Sequence, residues 1–361
     1  MGDRTAWVLL ASRKVNKRTA LFAEGLCQRG YAVKLIALPR LPWDLSALEG
    51  NHRVVVQPFN VGIGGKGRLL PHLVLAMHWG LLPAALMLRL IGSKAFYDEC
   101  DDYALTALEG NWFSRAVTPW LVNVIHRLML PMVQGVFCIR MADGALARSL
   151  LGFGTEAIEV HNYPTRRWIR IGPPPPAGLK LVYTGALWDV KGGSMLTKLA
   201  SSPRLQECGI ELHVFGGGDR QVLDELARLP GTIVHGARRT DEIIAFLHAH
   251  RCVGLALYQD TPRYRLIGTN SHKIFEYLAA GAPVISTPIG EIPDYVTASN
   301  GRLVAADVSV EALVRTIVEF QEHPETWEAL SRAAVDEMLA HRRLWEEEWL
   351  KIAFVLERHA C

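Results

Sequence analysis

The chain has 361 residues, half of them hydrophobic, and carries 39 basic against 36 acidic side chains for a net charge of +3. That length exceeds one ordinary core of about 100–150 residues and predicts two domains, while the near-even charge excludes bulk binding to nucleic acid and makes any anion site local. The cysteines, Cys27, Cys100, Cys138, Cys208, Cys252 and Cys361, include no Cys-x-x-Cys pair, so they predict neither a metal site nor a disulfide framework and fit a reducing cytoplasm.

The apolar run at 6–11 is followed at once by Ser12-Arg13-Lys14 and reads as a first strand rather than a signal peptide. A helix over 14–29 ending at Gly30 and a strand at 31–38 complete a βαβ opening. Strands are expected again at 52–59 and 94–99. Between them, residues 69–91 approach the about 20 apolar residues that span a bilayer, but Pro71, His72, His78, Pro83 and Arg89 interrupt the run. It reads first as a buried helix or pair of helices, and second as an interfacial helix touching a membrane. A helix at 121–130 and strands at 133–139 and 156–164 close this half.

The only proline run, at 173–176, stiffens the backbone and excludes helix and sheet, which makes residues 172–178 a linker. Beyond it, strands at 178–187, 210–218, 232–237, 252–258 and 282–287 alternate with helices. The pattern is α/β, with Rossmann-like domains at 1–171 and 179–335 and a closing amphipathic helix within 336–361.

Three loops of the second half follow strands, where ligands bind in open α/β sheets. In the first, Gly185 permits close backbone approach and Lys191 offers a point charge for phosphate. The second is the glycine turn Gly216-Gly217-Gly218. In the third, Asn270 and Ser271 open a helix whose N–H groups suit an anion, with Lys273 beside them. Glu276, one turn on, is placed to accept hydrogen bonds from two adjacent ribose hydroxyls. An ordinary Lys–Glu pair on a solvated helix fits the same two residues. In the first half, Tyr97-Asp98-Glu99-Cys100-Asp101-Asp102-Tyr103 gathers four carboxylates, a crowding that raises at least one pKa and suits a general base or a hydroxyl-binding site. A solvated acidic loop or helix start fits it as well. Arg13, Lys14, Lys17 and Arg18 stand as a basic group near an anionic acceptor or lipid head groups, or as common surface charge. His161 reads as a structural histidine.

The stretch HKIFEYLAAGAPVIST at 272–287 resembles the Lys-Leu-Phe-Glu-Tyr-Met-Ala-Ala-Gly-x-Pro-Val-Ile segment of the GT-B glycosyltransferases, and within them of the retaining family-four group. Gly185 to Gly192 is similar to that family's Gly-Arg-Leu-x-x-x-Lys-Gly loop, Gly290 to Asp294 to its Gly-Gly-x-x-Glu turn, and RLWEEEW to the start of its carboxy-terminal helix. Two positions depart from it: Gly268 stands where the first glutamate of Glu-x7-Glu falls, and Ala186 replaces the loop arginine.

The resemblance implies two Rossmann-like domains facing a cleft, with the last helix crossing back to the first domain. It implies a retaining, metal-independent hexosyltransferase that uses a nucleoside diphosphate sugar and no further cofactor. The donor would be held by Gly185, Lys191, Gly217, Asn270, Ser271, Lys273 and Glu276. The acceptor, a glycan or lipid-linked molecule of envelope biosynthesis, would face Asp101 and Asp102. The expected place is the cytoplasm, peripherally on the inner face of the plasma membrane, without nucleic acid as a partner. A nucleotide-sugar 2-epimerase of the same fold, or a non-catalytic nucleotide-sugar-binding subunit, is the alternative.

Overall fold

The computed structural model describes residues 4–11, 15–37, 54–58, 70–101, 103–108, 112–140, 155–172, 178–267 and 271–359. The chain divides into two compact units, Met1–His161 with Glu347–Cys361, and Asn162–Glu346. Residues 173–177 of the proline-rich stretch lie outside the described residues.

The first unit holds a seven-stranded sheet of β1 (Thr5–Leu10), β2 (Ala32–Ala37), β3 (Val54–Pro58), β4 (Leu73–Ala76), β5 (Lys94–Glu99), β6 (Gly135–Cys138) and β7 (Ala157–Glu159), in the order β3-β2-β1-β4-β5-β6-β7. Each neighbouring pair is parallel. Helices α1 (Lys17–Gln28), α2 (Leu82–Leu90), α3 (Tyr103–Leu108) and α4 (Trp112–Met129) connect them. The Asn16 side chain accepts the Thr19 N–H at 2.8 Å to start α1, and Gly30, at φ +84°, ends it.

Residues 69–91, expected as one or two buried helices, are corrected by the structure: β4 comes first, then a 3-10 turn at Trp79–Leu81, then α2 with Pro83 in its first turn. A central parallel strand is buried on both faces and reads as an unbroken apolar run, so periodicity does not separate it from a buried helix. No described helix is long and apolar enough to cross a membrane.

The acidic stretch is divided by the fold, because strand alternation sends Asp98 and Glu99 to opposite faces; the raised carboxyl is Asp98, and burial rather than crowding raises it. Asp98, wholly buried, accepts from Arg18 Nε at 2.8 and 3.0 Å and from Arg18 Nη2 at 2.6 Å, while Arg18 Nη1 donates to the Val160 carbonyl at 2.7 Å. Burial works against the Arg18 charge, but attraction and hydrogen bonding from Asp98 outweigh it and raise the pKa above the ordinary arginine value. Arg18 is therefore an interior group rather than part of a basic surface; Ser12, Arg13 and Lys14 lie outside the described residues. Glu99 turns the other way, accepting from the Tyr97 hydroxyl and lying 3.4 Å from His126 Nε2.

The second unit holds β8 (Leu179–Thr184), β9 (Glu211–Phe215), β10 (Thr232–Gly236), β11 (Arg251–Ala256), β12 (Val284–Ser286) and β13 (Gly301–Leu303), parallel in the order β10-β9-β8-β11-β12-β13. Short β13 carries no strand pattern of its own and is defined by pairing with β12. Around the sheet run α5 (Gly193–Ala200), α6 (Pro203–Glu207), α7 (Arg220–Leu226), α8 (Thr240–Ala249), α9 (His272–Ala279), α10 (Val310–Glu322) and α11 (Pro324–Ala340). One apolar cluster joins β8 and β9 to α5 and α10; another joins α8 and α9 to α11. Trp327 of α11 is fully buried and donates from Nε1 to the Cys252 carbonyl at 2.9 Å.

The last helix, α12 (Trp345–Arg358), starts in the second unit, where the Trp345 N–H donates to the Pro164 carbonyl at 2.8 Å, and from Glu347 belongs to the first. There the Trp349 ring lies against α1 at Gly25, where a Cβ would come within 2.5 Å of it. Buried Glu348 accepts the His161 N–H at 3.0 Å, contacts His161 Nδ1 at 3.2 Å and pairs with Lys351 at 2.7 Å, a structural setting for His161.

Asp98→Ala leaves the Arg18 guanidinium buried without its carboxylate. We expect a loss of about 3–5 kcal/mol of unfolding free energy in the first unit, read by urea denaturation; a change below 1 kcal/mol would show that the pair is not structurally important.

Candidate functional site

In the second sheet the chain runs outward from β8 through β9 to β10, then returns to the other side of β8 with β11. The order reverses between β8 and β11, and in open α/β sheets that reversal leaves a crevice beyond the carboxyl ends of the strands. Gly185, at φ +100°, leaves β8 there; a side chain on it would be strained. The glycine turn after β9 packs directly onto this loop, since the Leu187 N–H donates to Gly217 O at 2.7 Å and the Asp219 N–H to Leu187 O at 2.8 Å. Gly216 and Gly218 have φ of +136° and +139°, and a Cβ on them would lie 2.1 Å from Gly185 O and 2.0 Å from Leu187 O. Backbone contact thus accounts for two of the three glycines. Gly217 has open space at its Cβ position.

Across the reversal stands α9. Its Tyr277 ring occupies the room left by Gly254 of β11, where a Cβ would fall 2.2 Å from the ring, and its hydroxyl accepts the Thr184 N–H at 2.8 Å. This fixes Lys273 and Glu276, one turn apart, beside the Gly185 loop: Lys273 Cε is 3.9 Å from the Cβ position of Gly185. Lys273 Nζ lies 3.7 Å from the centre of the Tyr183 ring and 5.4 Å from that of Tyr258. Burial, with smaller contributions from neighbouring tyrosines, raises the pKa of both phenols, so they remain neutral faces for the ammonium. Glu276 is 1% exposed, a setting that excludes the solvated Lys–Glu pair. The buried Ser271 hydroxyl meets the Tyr258 hydroxyl at 2.9 Å and does not cap α9. The aromatic setting of Lys273 was not visible in the sequence motifs; its signal is the tyrosine one residue before the Thr184-Gly185 turn.

Lys191 ends a 3-10 turn at Asp189–Lys191. Gly192 follows at φ +93°, where a Cβ would meet the Leu257 carbonyl at 2.6 Å. Asp189, its pKa lowered by hydrogen bonds from Ser194 and Gln259, ties that turn to α5 and to the loop after β11. Arg265 forks onto Asp260 at 2.7 and 3.1 Å. Gly268 and Asn270 lie outside the described residues. The structure thus brings Gly185, Gly217, Ser271, Lys273 and Glu276 to one end of one sheet, with Lys191 on the first of these loops.

Residues 178–323 match the family model of glycosyl transferases group 1. Across nearly its whole length the chain is similar to sucrose-phosphate synthase from Thermosynechococcus elongatus, at 14% identity and TM-score 0.68, covering 98% of each chain. It is similar too to Anabaena HepE in complex with UDP and glucose, at 13% identity and TM-score 0.69, covering 98% of this chain and 100% of that one. WaaG, a glycosyltransferase involved in lipopolysaccharide biosynthesis, aligns at 14% identity and TM-score 0.62, over 92% of this chain and 94% of that one. No curated protein matches the chain. The chain has the two-domain GT-B fold of these structures, and its second unit contains the stretch similar to glycosyl transferases group 1.

In this GT-B protein the carboxylates of the first unit are not equivalent. Asp98 is taken by Arg18 and Glu99 by Tyr97. Asp101 is half-buried beyond the end of β5, and Asp102 lies outside the described residues. Tyr103, whose hydroxyl donates to Met77 O at 3.2 Å, anchors the turn to the end of β4.

Gly218→Ala puts a methyl group into the Leu187 carbonyl and a side chain at φ +139°. We expect a loss of roughly 1–3 kcal/mol, measured by thermal unfolding, with weaker nucleotide binding, whereas Gly217→Ala, with open space at its Cβ, is expected to leave thermal unfolding close to wild type.

Proposed function

We propose that the protein transfers a hexosyl group from a nucleoside diphosphate sugar, bound by the second unit, to an acceptor hydroxyl recognised by the first. The observation that carries this reading is the pairing of Lys273 and buried Glu276 on one turn of α9, beside the glycine loop at the strand-order reversal, inside the stretch that matches glycosyl transferases group 1. HepE, similar in fold, is known in complex with UDP and glucose, which supports a uridine nucleotide as the first donor to test.

In this mechanism Glu276 accepts the two ribose hydroxyls, and Lys273 and Lys191, with the start of α9 at Ser271 and Asn270, face the diphosphate. Gly185 and Gly217 let backbone amides approach it. The bond from the anomeric carbon to the diphosphate oxygen breaks, and one to the acceptor oxygen forms. The diphosphate leaves with the pair of electrons of the broken bond, and its departing oxygen takes the acceptor proton. Preorganised cations facing the leaving charge supply the catalysis, without a metal. Asp101 and Asp102 orient the acceptor. The likeness in fold to WaaG, a glycosyltransferase involved in lipopolysaccharide biosynthesis, supports a glycan or lipid-linked acceptor in envelope biosynthesis, and with it a cytoplasmic enzyme at the inner membrane face.

Thermal-shift titration against a panel of nucleotide sugars names the donor. Glu276→Ala removes two charged hydrogen bonds and is expected to weaken donor binding by roughly tenfold to a hundredfold; affinity equal to wild type would remove Glu276 from the site. With the donor known, NMR of the product reads its anomeric configuration. Retention is expected, and a β-linkage from an α-linked donor would instead assign Asp101 as the base that takes the proton of an acceptor hydroxyl attacking from the opposite face.

A further inference from the structure

We propose that the outward faces of α2 and α4 in the first unit form a docking surface for an anionic lipid bilayer. The inference uses no donor-site residue; it deepens, and rests on, the membrane-face location proposed above. Helix α4 is two-sided. Its inner side buries Val122 and His126 and packs Ile125 and Met129 against the cluster that holds Leu82, Ala85 and Leu86 of α2. On the outer sides, Trp112, Trp120 and Leu128 of α4, and Met87, Leu90 and Ile91 at the end of α2, are each 55–79% exposed. Large apolar side chains gathered in one part of a fold mark an interaction surface.

Charge selects the occupant. Neither residues 70–97 nor residues 112–140 contain a single aspartate or glutamate, in a chain with 36 of them, whereas Arg115 and Arg127 are exposed on α4. Tryptophan and leucine interleaved with arginine, free of carboxylates, is the composition of a helix that lies in a membrane interface, its rings at the head groups and its guanidinium groups on lipid phosphate. A second copy of this chain would bring two positive faces together, which disfavours self-association through them.

Vesicle flotation of the full chain tests the proposal. Binding is expected to phosphatidylcholine vesicles containing phosphatidylglycerol, weak binding to phosphatidylcholine alone, and release by salt. The exposed pair Trp120→Ser and Leu128→Ser together should lower the partition coefficient by roughly tenfold or more. Arg127→Glu should lower it by roughly fivefold or more. Because these side chains point to solvent, circular dichroism and the thermal shift with UDP should stay as in wild type. The proposal is overturned if the chain stays soluble with anionic vesicles at low salt, or if the variants float like wild type. It is also overturned if sedimentation velocity shows a dimer that the same substitutions dissociate. A chain that binds UDP but no vesicle loses the docking surface and keeps the donor site; one that floats but binds no nucleotide does the reverse.

Discussion

The hydrogen bond from the Thr184 amide to the Tyr277 hydroxyl joins the end of β8 to the middle of α9 across the point where strand order reverses. Strands β8 and β11 pair from Leu179 and Arg251 as far as Val182 and Gly254, short of their carboxyl ends, so something else must span those ends if a loop and a helix are to hold a fixed spacing. Tyr277 does so because Gly254 gives its ring a place on β11 and burial keeps its phenol protonated. At the other end of α9, the Arg170 N–H donates to the Ala279 carbonyl at 2.9 Å, and Gly281 turns at φ +65° against the Arg170 guanidinium. Lys273 and Glu276 sit between these two anchors. Their separation from the Gly185 loop is set by backbone and aromatic packing, not by the charges themselves.

The same logic governs the glycines. Gly216 and Gly218 interlock with the carbonyls of Gly185 and Leu187, and Gly290 lies so close to the Ile267 carbonyl that a Cβ would stand 2.0 Å from it. The loops after β8 and β9 are therefore held to each other by main-chain contact. Lys273 stands above the face of neutral Tyr183 in a half-buried place, an arrangement that attracts a cation to the ring.

In the first unit the ordering interaction is ionic. Arg18 reaches from α1 to Asp98 at the end of β5 and to the Val160 carbonyl just beyond β7, tying three elements with one guanidinium. The acidic turn after β5 is consequently less negative than its composition suggests, and its carboxylates divide into one that is neutralised, one that is hydrogen-bonded to Tyr97, and those beyond the strand. Helices α2 and α4 then cover the sheet on their inner sides and turn arginine and tryptophan outward.

The α/β class, the two alternating halves, the end of α1 at Gly30, and the Lys273–Glu276 turn were legible in the sequence, because each depends on neighbours three or four residues away or on the period of apolar residues; the start of α1 was not, since the helix read from residue 14 begins only after the Asn16 cap. Strand β4 was not legible, since a strand buried on both faces loses its alternation. Nor were the fate of Asp98, the inward turn of Arg18 or the tyrosines around Lys273. Arg18 and Asp98 are 80 residues apart, Thr184 and Tyr277 93 apart, and partners at such distances are chosen only when parallel strands are placed side by side. Local chemistry determined which residues were able to serve a nucleotide site; the order of strands in the folded sheet decided which of them meet.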